Sequence, residues 1–155
     1  MKSATRQQIG KATRSAKGTI LVELACSSIF LIIFAVFSVY LTLIITCANI
    51  TDRAARDAAR AAAEQQTQAQ ALTVAQSVVL SFASANPFMT PPTVQAVVYQ
   101  DYGGNPPALK SPSVSVTVVS SAKLPFAPTQ FFGQKFGADT YTFSQTYTFP
   151  IVNTK

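Results

Sequence analysis

The chain offers few side chains that could carry acid–base, nucleophilic or metal chemistry. It has no His, only six Asp and Glu, and two Cys among its 155 residues. His is the side chain best suited to proton transfer near neutral pH, and it is the commonest metal ligand. Asp101 and Asp139 are single acids beside turn residues, where Asp is common for backbone reasons. We therefore predict that the protein is not an enzyme and that it holds no cofactor or metal.

Glu23 is the acid with the most unusual surroundings. It stands directly before Leu24–Ala48, a run without any charged residue that is rich in Ile, Leu, Val and Phe. A carboxylate at the edge of a lipid-buried segment is costly unless it is paired, protonated or able to reach water. Glu23 is therefore a candidate functional residue, and the alternative is a side chain that simply reaches water at the membrane interface.

The apolar run itself predicts a membrane-spanning helix. At about 1.5 Å per residue it is roughly 37 Å long, which exceeds the ~30 Å core of a bilayer. A domain of this size could hardly surround a helix that is apolar on every side. We assign residues 19–50 to a transmembrane helix in a lipid bilayer.

A basic leader, residues 1–18, precedes this helix. It contains five of the twelve Lys and Arg and none of the acids. Lys and Arg beside a spanning helix stay on the cytoplasmic side, which predicts a cytoplasmic N-terminus and an external C-terminal domain. Because the excess charge is confined to the leader, we expect no nucleic-acid binding. A secretory signal peptide would have a shorter apolar core, whereas a mitochondrial presequence remains an alternative for the leader.

The spanning helix has one bulky face and one face of small residues. Small side chains let helix backbones approach closely in lipid, so this second face is a candidate packing surface. Hydrogen bonds from Ser or Thr back to the preceding turn are the alternative, and they need no partner. Cys26 and Cys47 lie too far apart along one helix to form a disulfide with each other, so we interpret them as small apolar fillers; the alternative for Cys47 is a disulfide between chains in an oxidising compartment. The predicted packing face consists of Ala25, Ser28, Ala35, Ser38 and Thr42.

Residues 51–86 are predicted to continue the helix outside the membrane. Asn49–Asp52 is a cluster of cap-type residues that could restart or kink the helix. The Ala-rich stretch that follows carries opposite charges at four-residue spacing, Asp52 with Arg56 and Arg60 with Glu64. Further on, helical spacing predicts a core face made of Leu72, Ala75, Val79 and Phe82, and Pro87 ends the helix.

Residues 87–155 contain all nine prolines and are predicted to form an antiparallel β domain. Alternation predicts a strand over 93–100, with Val94, Ala96 and Val98 on one face. A second strand over 113–119 alternates Val114, Val116 and Val118, and Leu124–Gly133 is an apolar loop. In the last strand one face carries Tyr141, Phe143, Tyr147, Phe149 and Ile151, and the other carries Thr and Ser. The predicted fold class is therefore α+β: a long N-terminal helix, its first half transmembrane, packed on a small antiparallel sheet.

The string Lys17-Gly18-Thr19-Ile20-Leu21-Val22-Glu23 resembles the processing site of type IV pilin-like proteins. The resemblance implies that a prepilin peptidase cuts between Gly18 and Thr19 and leaves Glu23 as the fifth residue of the mature chain. The new amine at Thr19 could then pair with the Glu23 carboxylate of a neighbouring subunit and fix the axial register between helices. Thr19 departs from the main class of these pilins, which usually has Phe there.

Taken with the Ala/Arg stretch and the strands, this string makes most of residues 15–152 resemble the TadE/TadG-like proteins of the tight-adherence (Flp) pilus. The resemblance implies a pilin-like fold and a minor pilin or pseudopilin in the bacterial inner membrane or the pilus fibre. Its implied partners are the prepilin peptidase, other pilin subunits and the inner-membrane assembly platform. The competing hypothesis is an uncleaved single-pass envelope protein whose external domain binds a partner.

Overall fold

The computed structural model describes residues 6–83, 86–124 and 140–151, with side chains from Gly18 onward. Two α-helices and three β-strands make up its regular structure, together with one short 3₁₀ turn at Tyr102–Gly104. The elements are α1 (Arg6–Ala63), α2 (Gln68–Ser81), β1 (Thr93–Gln100), β2 (Ser113–Lys123) and β3 (Thr140–Pro150). The chain divides into two compact units, one ending at Leu41 and the other beginning at Thr42.

The second unit confirms the predicted α+β class. Its three strands form one antiparallel sheet in the order β1-β2-β3. The C-terminal part of α1 and the whole of α2 cover one face of this sheet, and the core lies between them. A long helix packed on a small antiparallel sheet is consistent with the pilin-like description.

The core is made by alanines from α1 and valines from β2. Ala54, Ala58 and Ala62 are completely buried, as are Val114 and Val116 on the facing strand. Alanine has the highest helix propensity and the smallest side chain that still fills a core position. The Ala-rich stretch therefore does two things at once: it keeps α1 helical and allows the helix to lie close to the sheet.

The helix is interrupted later than the cap-type residues suggested. Asn49–Asp52 is helical throughout, whereas the chain leaves the helix after Ala63 and resumes it at Gln68. Residues 51–81 thus contain the end of one helix and a second helix, where the sequence suggested one continuation. Two side chains account for the break, because the Thr67 hydroxyl accepts the Gln70 N–H at the start of α2 and the Tyr99 hydroxyl donates to the Gln65 carbonyl at 2.8 Å.

The buried face of α2 differs from the predicted one by one residue at its start. Ala71, Ala75 and Val79 are buried, while Leu72 is 40% exposed. Leu72 was predicted for the core because it recurs at helical spacing with Ala75 and Val79, and that prediction is wrong. The helix instead turns its smaller Ala71 toward the sheet, and the predicted Phe82 is partly buried against the core.

A β-bulge changes the face that β1 presents to the core. The register shifts by one residue between Val94 and Ala96, so Gln95 is the extra residue. Val97 and Tyr99 consequently face the core with Val94, and Val98 is 49% exposed. The predicted inward positions of Ala96 and Val98 are therefore wrong.

The predicted inward face of β2 is confirmed, and that of β3 is confirmed except at Tyr141, which is 37% exposed. Val114, Val116 and Val118 are all fully buried, and β2 continues past the predicted end at Val119 to Lys123. Phe143, Tyr147 and Phe149 point inward from β3, as the alternation predicts. On the outer face the hydroxyls pair across the strands, Ser115 with Thr148 at 2.5 Å and Thr117 with Thr146 at 2.8 Å.

Two predictions fall on parts of the chain outside the described residues. The apolar loop predicted over 124–133 is described only at Leu124, which is buried. The predicted end of the helical region at Ser84–Pro87 includes Ser84 and Ala85, which also lie outside it. Before β1, the segment around Met89 pairs with Ala122 near the end of β2.

Candidate membrane anchor and processing site

The first unit of α1 exposes large apolar side chains along its length. Leu24, Phe30 and Ile33 are 67%, 70% and 55% exposed. A core helix of a water-soluble protein would bury such residues, because exposing them to water is unfavourable. Among the described residues, one helix is long and apolar enough to cross a membrane, and it lies near the N-terminus.

The last residues of the predicted span 19–50 pack within the second unit. Leu43 and Ile44 are already half-buried, and Cys47 and Thr51 are fully buried within the second unit. Side chains packed against protein cannot also face lipid. The part of α1 that remains exposed, Gly18–Leu41, is about 36 Å long at 1.5 Å per residue, which still exceeds the thickness of a bilayer core.

Gly18, Thr19 and Glu23 lie together on the exposed part of this helix. A Cβ atom added at Gly18 would meet no atom within 4 Å, and the Gly18 backbone is not in the left-handed region. Neither packing nor backbone conformation therefore requires glycine at this position. Glu23 is exposed and makes no hydrogen bond or ion pair with any side chain that the structure describes.

The predicted packing face is exposed at all five positions, Ala25, Ser28, Ala35, Ser38 and Thr42. The Ser28 hydroxyl donates to the Ala25 carbonyl at 2.8 Å, and the Ser38 hydroxyl donates to the Phe34 carbonyl at 3.0 Å. Both are the bonds back to the preceding turn that the sequence offered as an alternative. They satisfy the hydroxyls within the helix and leave the small side chains accessible.

A buried polar cluster, which the sequence did not predict, joins α1 to β2. We call Cys47, Thr51 and Ser120 the junction cluster; the Cys47 sulfur lies 3.2 Å from the Ser120 Oγ. The Ser120 hydroxyl bonds to Thr51, and the Thr51 hydroxyl donates to the Cys47 carbonyl at 2.8 Å. This arrangement lets each of the three groups donate once, which satisfies polar groups that would be costly to bury alone. Cys47 is thus more than a filler, and its burial shields its thiol from another chain.

A second cluster joins α1 to β3 at the protein surface. We call Asp52, Arg56 and Tyr147 the surface clamp; the Tyr147 hydroxyl donates to Asp52 Oδ1 at 2.5 Å, and Arg56 Nη2 donates to Asp52 Oδ2 at 3.1 Å. Arg56 also lies over the Tyr147 ring, 5.3 Å from its centroid. Arg56 Nη2 donates a hydrogen bond to the Tyr147 hydroxyl. This bond and the charge interaction with Tyr147 raise the pKa of Arg56, and the Asp52 carboxylate raises it further. The predicted Asp52–Arg56 pairing is confirmed, and Tyr147 is the addition that the sequence did not reveal.

Asp101, the acid of the β domain that the structure describes, hydrogen-bonds to the backbone. The Asp101 carboxylate accepts the Gly103 N–H at 3.1 Å and so caps the short turn after β1, as expected for a turn residue. Nearby, burial raises the pKa of Tyr99, with a smaller contribution from the Asp101 charge. Asp139 lies outside the described residues. Within the described ranges no group of three His, Cys, Asp or Glu side chains could hold a metal ion.

Comparison with known proteins identifies no relative: no protein-family model, no curated protein and no solved structure matches this chain.

Proposed function

We propose that this chain is a minor pilin or pseudopilin that supports assembly of a tight-adherence (Flp) type IV pilus after processing by a prepilin peptidase. The observation that carries the proposal is an exposed apolar stretch of α1 in the same chain as an α+β domain. Gly18 and Glu23 lie at the start of this apolar stretch. Before incorporation the protein is anchored in the bacterial inner membrane, with its leader in the cytoplasm and its β domain outside.

Gly18 supports cleavage because nothing in the fold explains it. A glycine inside a helix costs about 1 kcal/mol relative to alanine, and here no close approach or left-handed backbone requires it. A peptidase that must bring the chain into its active site provides a reason for a residue without a side chain. The position of Gly18 at the end of the basic leader agrees with the same role.

Glu23 supports a contact between subunits because it has no partner of its own in the described chain. Cleavage after Gly18 creates a cationic amine at Thr19, four residues away on the same helix. In a low-dielectric setting a carboxylate and an amine attract far more strongly than in water. A bond between Glu23 of one subunit and Thr19 of the next would stabilise both charges and set the axial displacement of neighbouring helices.

The implied partners follow from this arrangement. The prepilin peptidase acts on Gly18 and Thr19, and the lipid bilayer surrounds the exposed apolar part of α1. Other pilin or pseudopilin subunits and the inner-membrane assembly platform receive the processed chain. The face formed by Ala25, Ser28, Ala35, Ser38 and Thr42 supplies a surface on which neighbouring helices can approach closely.

One observation favours the alternative, an uncleaved single-pass protein whose external domain binds a partner. Helix α1 runs without interruption from Arg6 through Gly18, so the leader and the anchor form one regular element. A chain that keeps its leader would have a continuous helix entering the membrane.

Intact-mass measurement of the membrane-extracted protein separates the two functions. Expression with active prepilin peptidase should remove the mass of residues 1–18, whereas Gly18→Leu should leave the chain at full length. Gly10→Leu, the matched change at the other leader glycine, should be processed normally. An uncut wild-type chain in the presence of active peptidase would support the alternative and overturn the proposed processing.

A further inference from the structure

Four charged residues form a strip on the side of α1 that faces away from the sheet. We call Arg53, Asp57, Arg60 and Glu64 the charged strip; all four are exposed. The spacing of Arg53, Asp57 and Arg60 places them within about 60° of one another around a helix of 3.6 residues per turn, and Glu64 follows directly after the last helical residue, Ala63. The buried alanines of α1 occupy the opposite side of the helix.

No residue of the strip forms an ion pair within the described part of the domain. The single ion pair there joins Asp52 to Arg56, which lie beside the strip. Arg60 and Glu64, predicted as a pair, do not form one, and neither do Arg53 and Asp57. In both pairs the basic residue comes first, which is the weaker order for side chains four residues apart on a helix.

The rest of the domain provides little competing charge. No charged residue occurs between Glu64 and Asp101, and Asp101, Lys110 and Lys123 are the remaining charged residues in the described chain beyond the strip. Exposed positions of the sheet carry mainly hydroxyl groups. In the described part of the domain, a partner therefore meets the strip, with the adjacent Asp52 and Arg56, as the main charged surface.

The order of the signs determines which partner fits. The strip reads positive, negative, positive, negative, so a partner of uniform charge would be attracted by two residues and repelled by the other two. A complementary partner must carry the same alternation, and this chain itself does so. A parallel second copy shifted along the helix axis by one step, about 5.5 Å, pairs Arg53 with Asp57, Asp57 with Arg60, and Arg60 with Glu64.

We propose that the charged strip is a contact surface for a second copy of this chain, parallel to the first and displaced by one step of the strip. Copies in exact register would place like charges together and repel each other. The strip therefore favours displaced neighbours over aligned ones. This inference rests on the proposed function, because insertion in one orientation makes the copies parallel and a fibre displaces them along the helix axis.

Charge reversal tests the proposal. The full-length chain is studied in detergent micelles, and its self-association is measured by energy transfer between two populations that carry different labels. Asp57→Arg replaces two attractive contacts with two repulsive ones and should weaken association by roughly tenfold. Reversing all four charges, R53E/D57R/R60E/E64R, restores complementarity and should return association to within about twofold of the wild type. Lys110→Glu, a reversal elsewhere on the domain, should leave it unchanged.

Cysteine cross-linking tests the displacement. In a Cys26→Ser background with Cys47 left buried, a mixture of Arg60→Cys and Glu64→Cys chains should cross-link between copies. Mixed Arg53→Cys and Glu64→Cys chains should not, because only an antiparallel pair would bring those positions together.

Three results would overturn the proposal. The first is self-association that Asp57→Arg leaves unchanged. The second is a variant with all four charges reversed that associates as weakly as Asp57→Arg, and the third is cross-linking only between Arg53→Cys and Glu64→Cys chains. The second result would indicate a partner other than this chain. Because no peptidase is present in this experiment, its outcome is independent of cleavage after Gly18, and the mass measurement alone decides the processing step.

Discussion

Tyr147 shows how one side chain on the last strand fixes the position of a helix distant in sequence. Its hydroxyl donates to Asp52 at 2.5 Å, and its ring lies beneath the Arg56 guanidinium. Helical spacing was sufficient to predict that Asp52 and Arg56 pair. The contribution of Tyr147 could not be predicted, because it depends on the register between β3 and α1, and alternation along a strand shows only which side of the sheet a residue faces.

Tyr147→Phe should therefore destabilise the domain while preserving the ring beneath Arg56. Loss of the hydroxyl leaves Asp52 with one hydrogen bond fewer, and we expect the free energy of unfolding to fall by about 1–2 kcal/mol. Urea unfolding of the full-length protein in micelles, followed by near-ultraviolet circular dichroism, measures the change. Tyr141→Phe is the control, because Tyr141 is exposed on the same strand. Equal effects of the two substitutions would show that the surface clamp contributes nothing.

The packing of α1 on the sheet was predicted where one periodicity dominates the sequence. The alternating valines of β2 and aromatics of β3 gave the correct inward faces. In β1 the alternation failed after Gln95, since the bulge occurs without a glycine or proline to signal it. In α2 the buried residues are Ala71, Ala75 and Val79, which recur at four-residue spacing, and Leu72 is not among them. Size and hydrophobicity alone do not indicate which face of a weakly amphipathic helix is buried.

An enlarged side chain at Ala58 tests how closely α1 lies against the sheet. Ala58 is fully buried in the core, so Ala58→Leu must push the helix away from the valines of β2. We expect a loss of about 1–3 kcal/mol in the free energy of unfolding, although leucine is itself a good helix former. Ala69→Leu makes the same change at an exposed position of α2 and should be close to neutral. A stable Ala58→Leu protein would indicate a looser interface than the burial implies.

At the scale of the whole molecule, the first part of α1 exposes apolar side chains in every direction, and the second unit has a buried core of its own. The sequence predicted both parts because hydropathy and turn residues change sharply along the chain. The predicted end of the membrane helix, at residue 50, lies within the second unit. Cys47 and Thr51 belong to the junction cluster, and only the fold reveals that Ser120 lies beside them.

The orientation of the chain can be measured by labelling with a membrane-impermeant maleimide in a Cys26→Ser background. Lys110→Cys should react in intact cells, because Lys110 is exposed in the domain that we place outside the membrane. Ser3→Cys, in the basic leader, should react only after the membrane is permeabilised, in cells that lack the peptidase. Labelling of Ser3→Cys in intact cells would reverse the proposed topology.

The junction cluster also determines where this protein can be shortened. A fragment that starts at Asp52, where the charged residues begin, would lose both Cys47 and Thr51. Ser120 would then keep neither of its hydrogen-bond partners, and the adjacent surface of Met89 and Ala122 would open to water. The smallest piece that preserves the interior of the domain begins near Thr42. It retains Ile45, an apolar side chain that is 55% exposed, and this side chain will limit the solubility of such a fragment.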